Sequence, residues 1–192
     1  MESLITYIMS LRPLTGVEKT EIASHFQAGH FKEGDYLFEG GHVCNKLFFI
    51  VSGVVRMVAI NDKGVEVTHY FVGENQFCTN LASFNNETVA EDSIECCSPA
   101  TILTIQKSQL LALYRKLPFM EDLFDRVHQQ RLLEKIRLKN IYSGEDSAGR
   151  YRLFLREQPE IAGRVPLSHL ASYLNITPQS LSRIRRRLKL SI

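Results

Sequence analysis

Apolar positions change their period several times along the chain. Over residues 3–27 they recur at helical spacing, broken at Pro13 and Gly16, and Thr15 is placed to cap a helix over 17–26. From Ala28 to Gln106 the pattern shortens to β-rich runs at 36–38, 47–51, 54–60, 65–71, 94–97 and 102–105. Glycines at 34, 40, 41, 53, 64 and 73 punctuate them. Many short strands with turn signals at this spacing predict an all-β sandwich or barrel. Asn61-Asp62-Lys63-Gly64 joins two of the runs and predicts a hairpin, its glycine taking a positive φ.

Helical spacing returns near Ser108, a suitable cap for a helix over 109–116, and Pro118 ends that helix and opens another. From 118 to about 142 there is no glycine or internal proline, which allows a helix of roughly 37 Å. Met120, Leu123, Phe124 and Val127, then Leu132, Leu133, Ile136 and Ile141, cover more than one of its faces. Such a helix must touch its own barrel and something else. A second copy is the economical partner, since a two-fold dimer presents every surface twice; burial within one subunit is the alternative. Ser143-Gly144-Glu145-Asp146 is a break, after which a helix over 148–158 carries Tyr151, Leu153, Phe154 and Leu155 and stops at Pro159.

The last stretch, 164–192, organises the rest. Leu167, Leu170, Ala171 and Leu174 share one face of a first helix, with Ser168 and His169 facing elsewhere. After Asn175-Ile176, Thr177 is a good N-cap and Pro178 suits the first helical position. Leu181, Ile184 and Leu188 then fall on one side of a second helix, and Gln179, Ser182, Arg183 and Arg186 on the other. Ala171, small and midway along the first helix, allows a close crossing. The pattern is that of a helix-turn-helix. Arginine forks onto guanine and glutamine onto adenine in a major groove, while Arg185, Arg187 and Lys189 are better placed for phosphates. The plain alternative is a solvated basic helix.

Charge sharpens this. The 192 residues carry a formal net charge of +2, but residues 1–144 are net −3 and residues 145–192 net +5. Only the C-terminal quarter is suited to a polyanion. The N-terminus, with Glu2 and no basic run, is a poor signal peptide, and no apolar run is long enough to span a membrane, so a cytoplasmic protein is expected. Cys44, Cys78, Cys96 and Cys97 form no CxxC pair, and the adjacent two point to opposite faces of a strand. Reduced, buried thiols are expected; redox sensing would need Cys97 or Cys78 exposed with a lowered pKa.

These parts in this order resemble the Crp/Fnr superfamily of bacterial transcription regulators. The resemblance covers nearly all of the chain, through GDYLFEGG (34–41), KLFFIVSGVVRM (46–57), DSAGRYRLFLREQPEI (146–161) and PLSHLASYLNITPQSLSRIRRRL (166–188). It implies an α+β fold: an N-terminal double-stranded β-helix, the cyclic-nucleotide-binding-like β-roll, with flanking helices over 1–117; a long dimerisation helix over 118–144; and a C-terminal helix-turn-helix over 145–192, of winged-helix type with the final wing lacking. It also implies that Gln179, Ser180 and Arg183 read bases.

Cyclic-AMP-binding members carry a Gly-Glu-Leu turn followed by an Arg-Ser pair, which hold the cyclic phosphate and the ribose. The matching positions here are Thr79-Asn80-Leu81 and Ala90-Glu91, and no Lys or Arg occurs between Lys63 and Lys107, a stretch that holds Glu66, Glu74, Glu87, Glu91, Asp92 and Glu95. A buried phosphate there would be unpaired. Lys135 on the long helix is the one cation expected to reach back, a weak substitute for a fork-shaped arginine. The cysteine cluster of the iron–sulfur branch is missing, since no cysteine precedes Cys44; His25, His30, His42 and His69 are read as ordinary histidines rather than haem ligands. No HxH pair supports a cupin-like metal enzyme.

The sequence thus predicts a homodimeric, sequence-specific regulator of transcription on double-stranded DNA, with RNA polymerase a further partner. No catalytic residue, metal or cofactor is expected, cyclic AMP included. The rivals are a cyclic-nucleotide receptor with a rebuilt cassette and a metal enzyme.

Overall fold

The computed structural model describes residues 1–189, and of Lys189 only the backbone. The expected lack of a wing beyond the last helix concerns residues 190–192 and lies outside the described residues. Two four-stranded antiparallel sheets form the centre. One runs β1 (Gln27–Phe31), β8 (Ala100–Gln106), β3 (Lys46–Ser52), β6 (Phe77–Cys78); the other runs β2 (Tyr36–Phe38), β7 (Ser93–Cys96), β4 (Val55–Ile60), β5 (Glu66–Val72).

Strand alternation divides the interior in two. In β3, Phe48 and Ile50 point between the sheets, whereas Leu47 and Phe49 point to the helices; β8 repeats this with Ile102 against Leu103 and Ile105. β4 and β5 close on the expected turn. The side chain of Asn61 accepts from the amides of Lys63 and Val65, and Gly64 sits at φ 71°, where a side chain would be strained. Gly53 before β4 is held at φ 97°, with a Cβ there only 2.6 Å from the Pro99 carbonyl.

The strands β1 and β6 were not among the expected runs. β1 reads QAGHF, with little β character of its own, and is drawn into the sheet by pairing with β8 through five residues; β6 is a two-residue pairing onto Phe48 and Phe49. Tertiary pairing overrides local propensity at both places.

Helices α1 (Glu2–Leu11) and α2 (Gly16–His25) cover the outer face of the first sheet through Leu4, Ile8 and Ile22, all fully buried. Thr15 caps α2 in a reciprocal box: its hydroxyl accepts from the Glu18 amide, and its own amide donates to Glu18 at 2.7 Å. α3 (Leu81–Asn86) is capped by Asn80. α4 (Lys107–Lys116) is capped by Gln106 and not by Ser108, because β8 stays extended to Gln106 and turns directly into the helix.

The long helix α5 (Phe119–Ser143) begins where Pro118 placed it. Met120, Leu123, Phe124 and Val127 are buried in the helix-side core, with Phe124 edge-on to Phe77 at 4.7 Å. Beyond them the helix carries apolar side chains into solvent: Leu132, Leu133 and Ile136 are 55%, 67% and 48% exposed. α6 (Ser147–Glu157), α7 (Leu167–Tyr173) and α8 (Pro178–Lys189) complete the chain. Among the described residues no helix is long and apolar enough to cross a membrane.

Candidate nucleic-acid interface

α6 starts on Asp146, whose carboxylate accepts from the Gly149 amide at 2.7 Å. It buries Tyr151 and Phe154 under α7 and α8. Between the last two helices the chain turns through Asn175 at φ 53°, and the Ile176 amide donates to the Ala171 carbonyl at 3.0 Å. Ala171 has no exposed surface, so the turn can lie directly on α7, and Leu181 of α8 is equally buried. Ile184 and Leu188 pack on the same cluster as Leu170 and Leu174. One side of α8 is therefore clamped, as its spacing predicted.

The opposite side faces outward. Gln179, Ser182, Arg183, Arg186 and Arg187 are exposed, while Ser180 and Arg185 are half-buried. Thr177 caps α8 by accepting from the Ser180 amide at 3.1 Å; its hydroxyl also meets that of Ser180 at 3.0 Å. Ser180 Oγ in turn lies 3.4 Å from an Arg183 guanidinium nitrogen, so the helix start and the arginine are linked. Among the described residues no carboxylate engages Arg183, Arg185 or Arg186. The side chain of Lys189 lies outside the description.

These helices are docked on the sheets. α7 packs against β5, an edge strand. Ser172 of α7 uses its hydroxyl twice there, accepting from the Thr68 amide at 2.9 Å and donating to the Glu66 carbonyl at 3.2 Å. Val54, Phe71 and Cys97 share one buried cluster with Tyr151, Phe154, Ile161 and Leu170. Arg164 grips Glu74 through both guanidinium nitrogens, one at 3.0 Å, and Glu74 also accepts from the Gly53 amide at 2.8 Å. The Arg164 hydrogen bonds hold the Glu74 carboxyl down to about 2. Gln158 donates to the hydroxyls of Tyr142 and Tyr173, both at 3.1 Å, tying the end of α5 to α7.

His169, expected off the apolar face of its helix, turns toward the sheets. Its Nδ1 lies 3.6 Å from Cys97 Sγ, and burial, then the nearby Arg56, lower its pKa to about 4. Its position depends on a neighbouring module, which spacing within one helix cannot show. Arg56 was also missed. It is 2% exposed, and bonds Glu95 through Nε at 2.8 Å, Glu66 through Nη2 at 2.5 Å and Thr68 through Nη1 at 3.1 Å. Two of the carboxylates between Lys63 and Lys107 are therefore paired by an arginine that lies before that stretch. Glu66, Glu95 and His169 bring ligand atoms within 4.8 Å of one another, but the guanidinium already supplies the positive charge that a metal would bring.

A cavity of about 840 Å³ opens between β5, β6, α5 and the C-terminal helices. Of the expected pocket residues, Thr79, Leu81 and Lys135 line it, and Asn80, Ala90 and Glu91 do not. The reason is local bonding. Asn80 spends its side-chain oxygen on the Ser83 amide at 3.2 Å, and Ala90 pairs its backbone with Gly41 and His42. Glu91 is exposed, and even Thr79 donates its hydroxyl to the Lys46 carbonyl at 2.8 Å. Lys135 reaches in as expected, its Nζ 3.4 Å from the centre of the Tyr70 ring, where desolvation holds it below the usual lysine range. All four cysteines are free and buried, and burial pushes the Cys78 and Cys97 thiols up to about 12. Neither meets the condition set for redox sensing.

Residues 28–116 match the cyclic nucleotide-binding domain family. The CLP protein of Xanthomonas campestris, a c-di-GMP-responsive global regulator, superposes with a TM-score of 0.72 at 18% identity, over 92% of this chain and 93% of that one. A Crp/Fnr-family transcriptional regulator from Eubacterium rectale gives 0.72 at 18% identity, over 97% and 88%. The regulatory subunit of a cAMP-independent protein kinase A from Trypanosoma brucei gives 0.54 at 21% identity, over 67% and 47%. No curated protein matches the sequence. At these identities the likeness establishes the fold.

Proposed function

We propose that this chain, which contains a cyclic nucleotide-binding domain and has the fold of the Crp/Fnr regulators, is a homodimeric transcription regulator that binds double-stranded DNA in a sequence-specific manner. The supporting observation is the two-sidedness of α8. Leu181 is sealed against the helices beneath it, while Gln179 and Arg183 stand outside on a rigid support. Rigid placement matters because each good bidentate contact contributes about 1–3 kcal/mol of discrimination only when its geometry is held. Thr177, Ser180 and Ser182 complete the reading edge, and Arg185, Arg186, Arg187 and Lys189 meet phosphates.

Dimerisation is assigned to the second half of α5, where Leu132, Leu133 and Ile136 need a cover. The division of labour follows the chain: residues 1–117 sense, 118–144 pair, 145–192 bind DNA. RNA polymerase is the natural further partner, and the protein acts in the cytoplasm. Cyclic AMP is not the effector in this reading, because Thr79, Asn80 and Ala90 are engaged in structural bonds and the cassette positions contribute no arginine. Titration calorimetry should show no micromolar binding of cyclic AMP or cyclic GMP; such binding would restore the rebuilt-cassette reading.

Selection from a library of random duplexes tests the proposal. It should converge on a two-fold-symmetric site with half-sites about 34 Å apart, one helical turn. Failure to enrich any sequence would overturn it.

A further inference from the structure

The long helix and the C-terminal helices meet at one buried amide. Gln158 ends α6, and Pro159 behind it, with no N–H to give, stops the helix from continuing. The backbone of Gln158 is pinned on both sides: its amide donates to the Phe154 carbonyl at 2.9 Å, and its carbonyl accepts from the amides of Ile161 and Ala162. The residue is 8% exposed, and its side chain spends both amide hydrogens, one on the hydroxyl of Tyr142 near the end of α5 and one on that of Tyr173 at the end of α7. One side chain thereby joins α5, α6 and α7.

The other contacts of this joint are less directional. Residues 144–146 alone link α5 to α6 along the chain. Arg137 reaches Glu157 at 2.9 Å, but its side chain is 54% exposed, and a surface pair of this kind contributes little. The rings of Tyr142 and Tyr173 meet edge-on at 5.8 Å, and Tyr173 also stands against Phe154 and Phe71. Ring pairs persist over centroid separations of roughly 4.5–7 Å, whereas hydrogen bonds weaken steeply with length and angle. Gln158 therefore fixes the angle of the joint.

In a two-fold dimer that angle sets a distance. The C-terminal helices have two supports, the sheets through Ser172 and Arg164, and α5 through Gln158. Only the second lies on the short route from one recognition helix, through a pair of α5 helices, to the other. Moving a half-site by one base pair displaces it by about 3.4 Å and turns it by about 35° around the duplex. A module that follows has to turn about this joint, and bonds with a working range of about 0.5 Å oppose the turn.

We propose that Gln158 is a positioning residue that sets which half-site spacing the dimer accepts, by holding Tyr142 of the pairing helix and Tyr173 of the helix-turn-helix on one amide. The proposal rests on the reading of the chain as a dimeric regulator, and it adds a determinant separate from base reading. Gln179 and Arg183 select the sequence of each half-site; Gln158, buried away from DNA, selects the distance between the two.

The test uses the full-length protein on duplexes that carry the selected half-sites at the preferred spacing, and at one base pair more or less. A duplex with one altered half-site serves as the control for base reading. Wild type should lose about a hundredfold in affinity when the spacing changes, since several base pairs then fall out of register. Gln158→Leu, which fills the site without donating, should lose no more than about tenfold, while its discrimination against the altered half-site stays within about twofold of wild type. Tyr142→Phe, which removes one of the two bonds and keeps the ring, should fall between. Ser172→Ala loosens the support on the sheets and should keep the full spacing penalty. An unchanged penalty in Gln158→Leu and Tyr142→Phe would overturn the proposal, as would an equal relaxation in Ser172→Ala; if Gln158→Leu does not fold, Tyr142→Phe decides. A wild type that binds every sequence alike sinks the regulator reading and this assignment with it, whereas one that selects a sequence but shows no spacing penalty sinks this assignment alone.

Discussion

The Ser172 hydroxyl accepts a hydrogen bond from the Thr68 amide at 2.9 Å and returns one to the Glu66 carbonyl, closing the open edge of β5 with a side chain from α7. Edge groups left unpaired and away from water cost free energy. Ser172→Ala should therefore destabilise the docked C-terminal helices by about 1–2 kcal/mol. Hydrogen exchange at the Thr68 amide measures this directly. An unchanged protection factor would mean that the contact does not hold the helices down.

Arg56 and Glu95 form the most enclosed charge pair among the described residues, 2% and 8% exposed. Removing one partner leaves the other buried and unanswered, so Arg56→Met should cost about 3–5 kcal/mol in chemical denaturation. Replacing Glu95 by Gln in the same molecule should recover a substantial part, because the stranded charge is then gone.

His169 gives a pH dependence near neutrality. Its folded pKa of about 4 lies below the ordinary histidine value near 6.5, so the unfolded chain binds the extra proton first as pH falls. The stability linked to neutral His169 is present above about pH 6.5 and is lost progressively toward pH 4. Glu74, held to about 2 by Arg164, adds a second loss below the usual carboxylate range. Thermal melts between pH 7 and 5 should show a falling midpoint in wild type and a flatter profile in His169→Gln. Parallel profiles would assign the effect to other groups.

Much of this architecture was legible in the sequence because local and tertiary preferences agree there. The Asn61-to-Gly64 hairpin, the Thr15 and Thr177 caps, the start of α5 after Pro118 and the two sides of α8 all depend on neighbours within a few residues. What the sequence concealed depends on residues far apart. Arg56 meets Glu95 from another strand, His169 meets Cys97 across a module boundary, and β1 exists because β8 pairs with it. The cavity was half legible. Lys135, Thr79 and Leu81 were found by position, while Asn80, Ala90 and Glu91 do not line it.

The exposed stripe on α5 makes a definite expectation about assembly. Leu133→Glu with Ile136→Glu puts charges where two helices would have to meet, and each apolar side chain fully buried in such a seam contributes about 1.5–3 kcal/mol. Light scattering after size exclusion should give twice the 22.0 kDa chain mass for wild type and the single mass for the variant. A wild-type monomer would leave the stripe without its assigned cover.

The most direct measurement of the central claim is competitive fluorescence anisotropy at moderate salt, with wild type and Arg183→Ala on a selected duplex and on its shuffled counterpart. Wild type should prefer the selected duplex by roughly a thousandfold or more. Arg183→Ala should lose about 1–3 kcal/mol on that duplex and almost nothing on the shuffled one. Equal affinities of wild type for the two duplexes, or equal losses on both from the substitution, would contradict it.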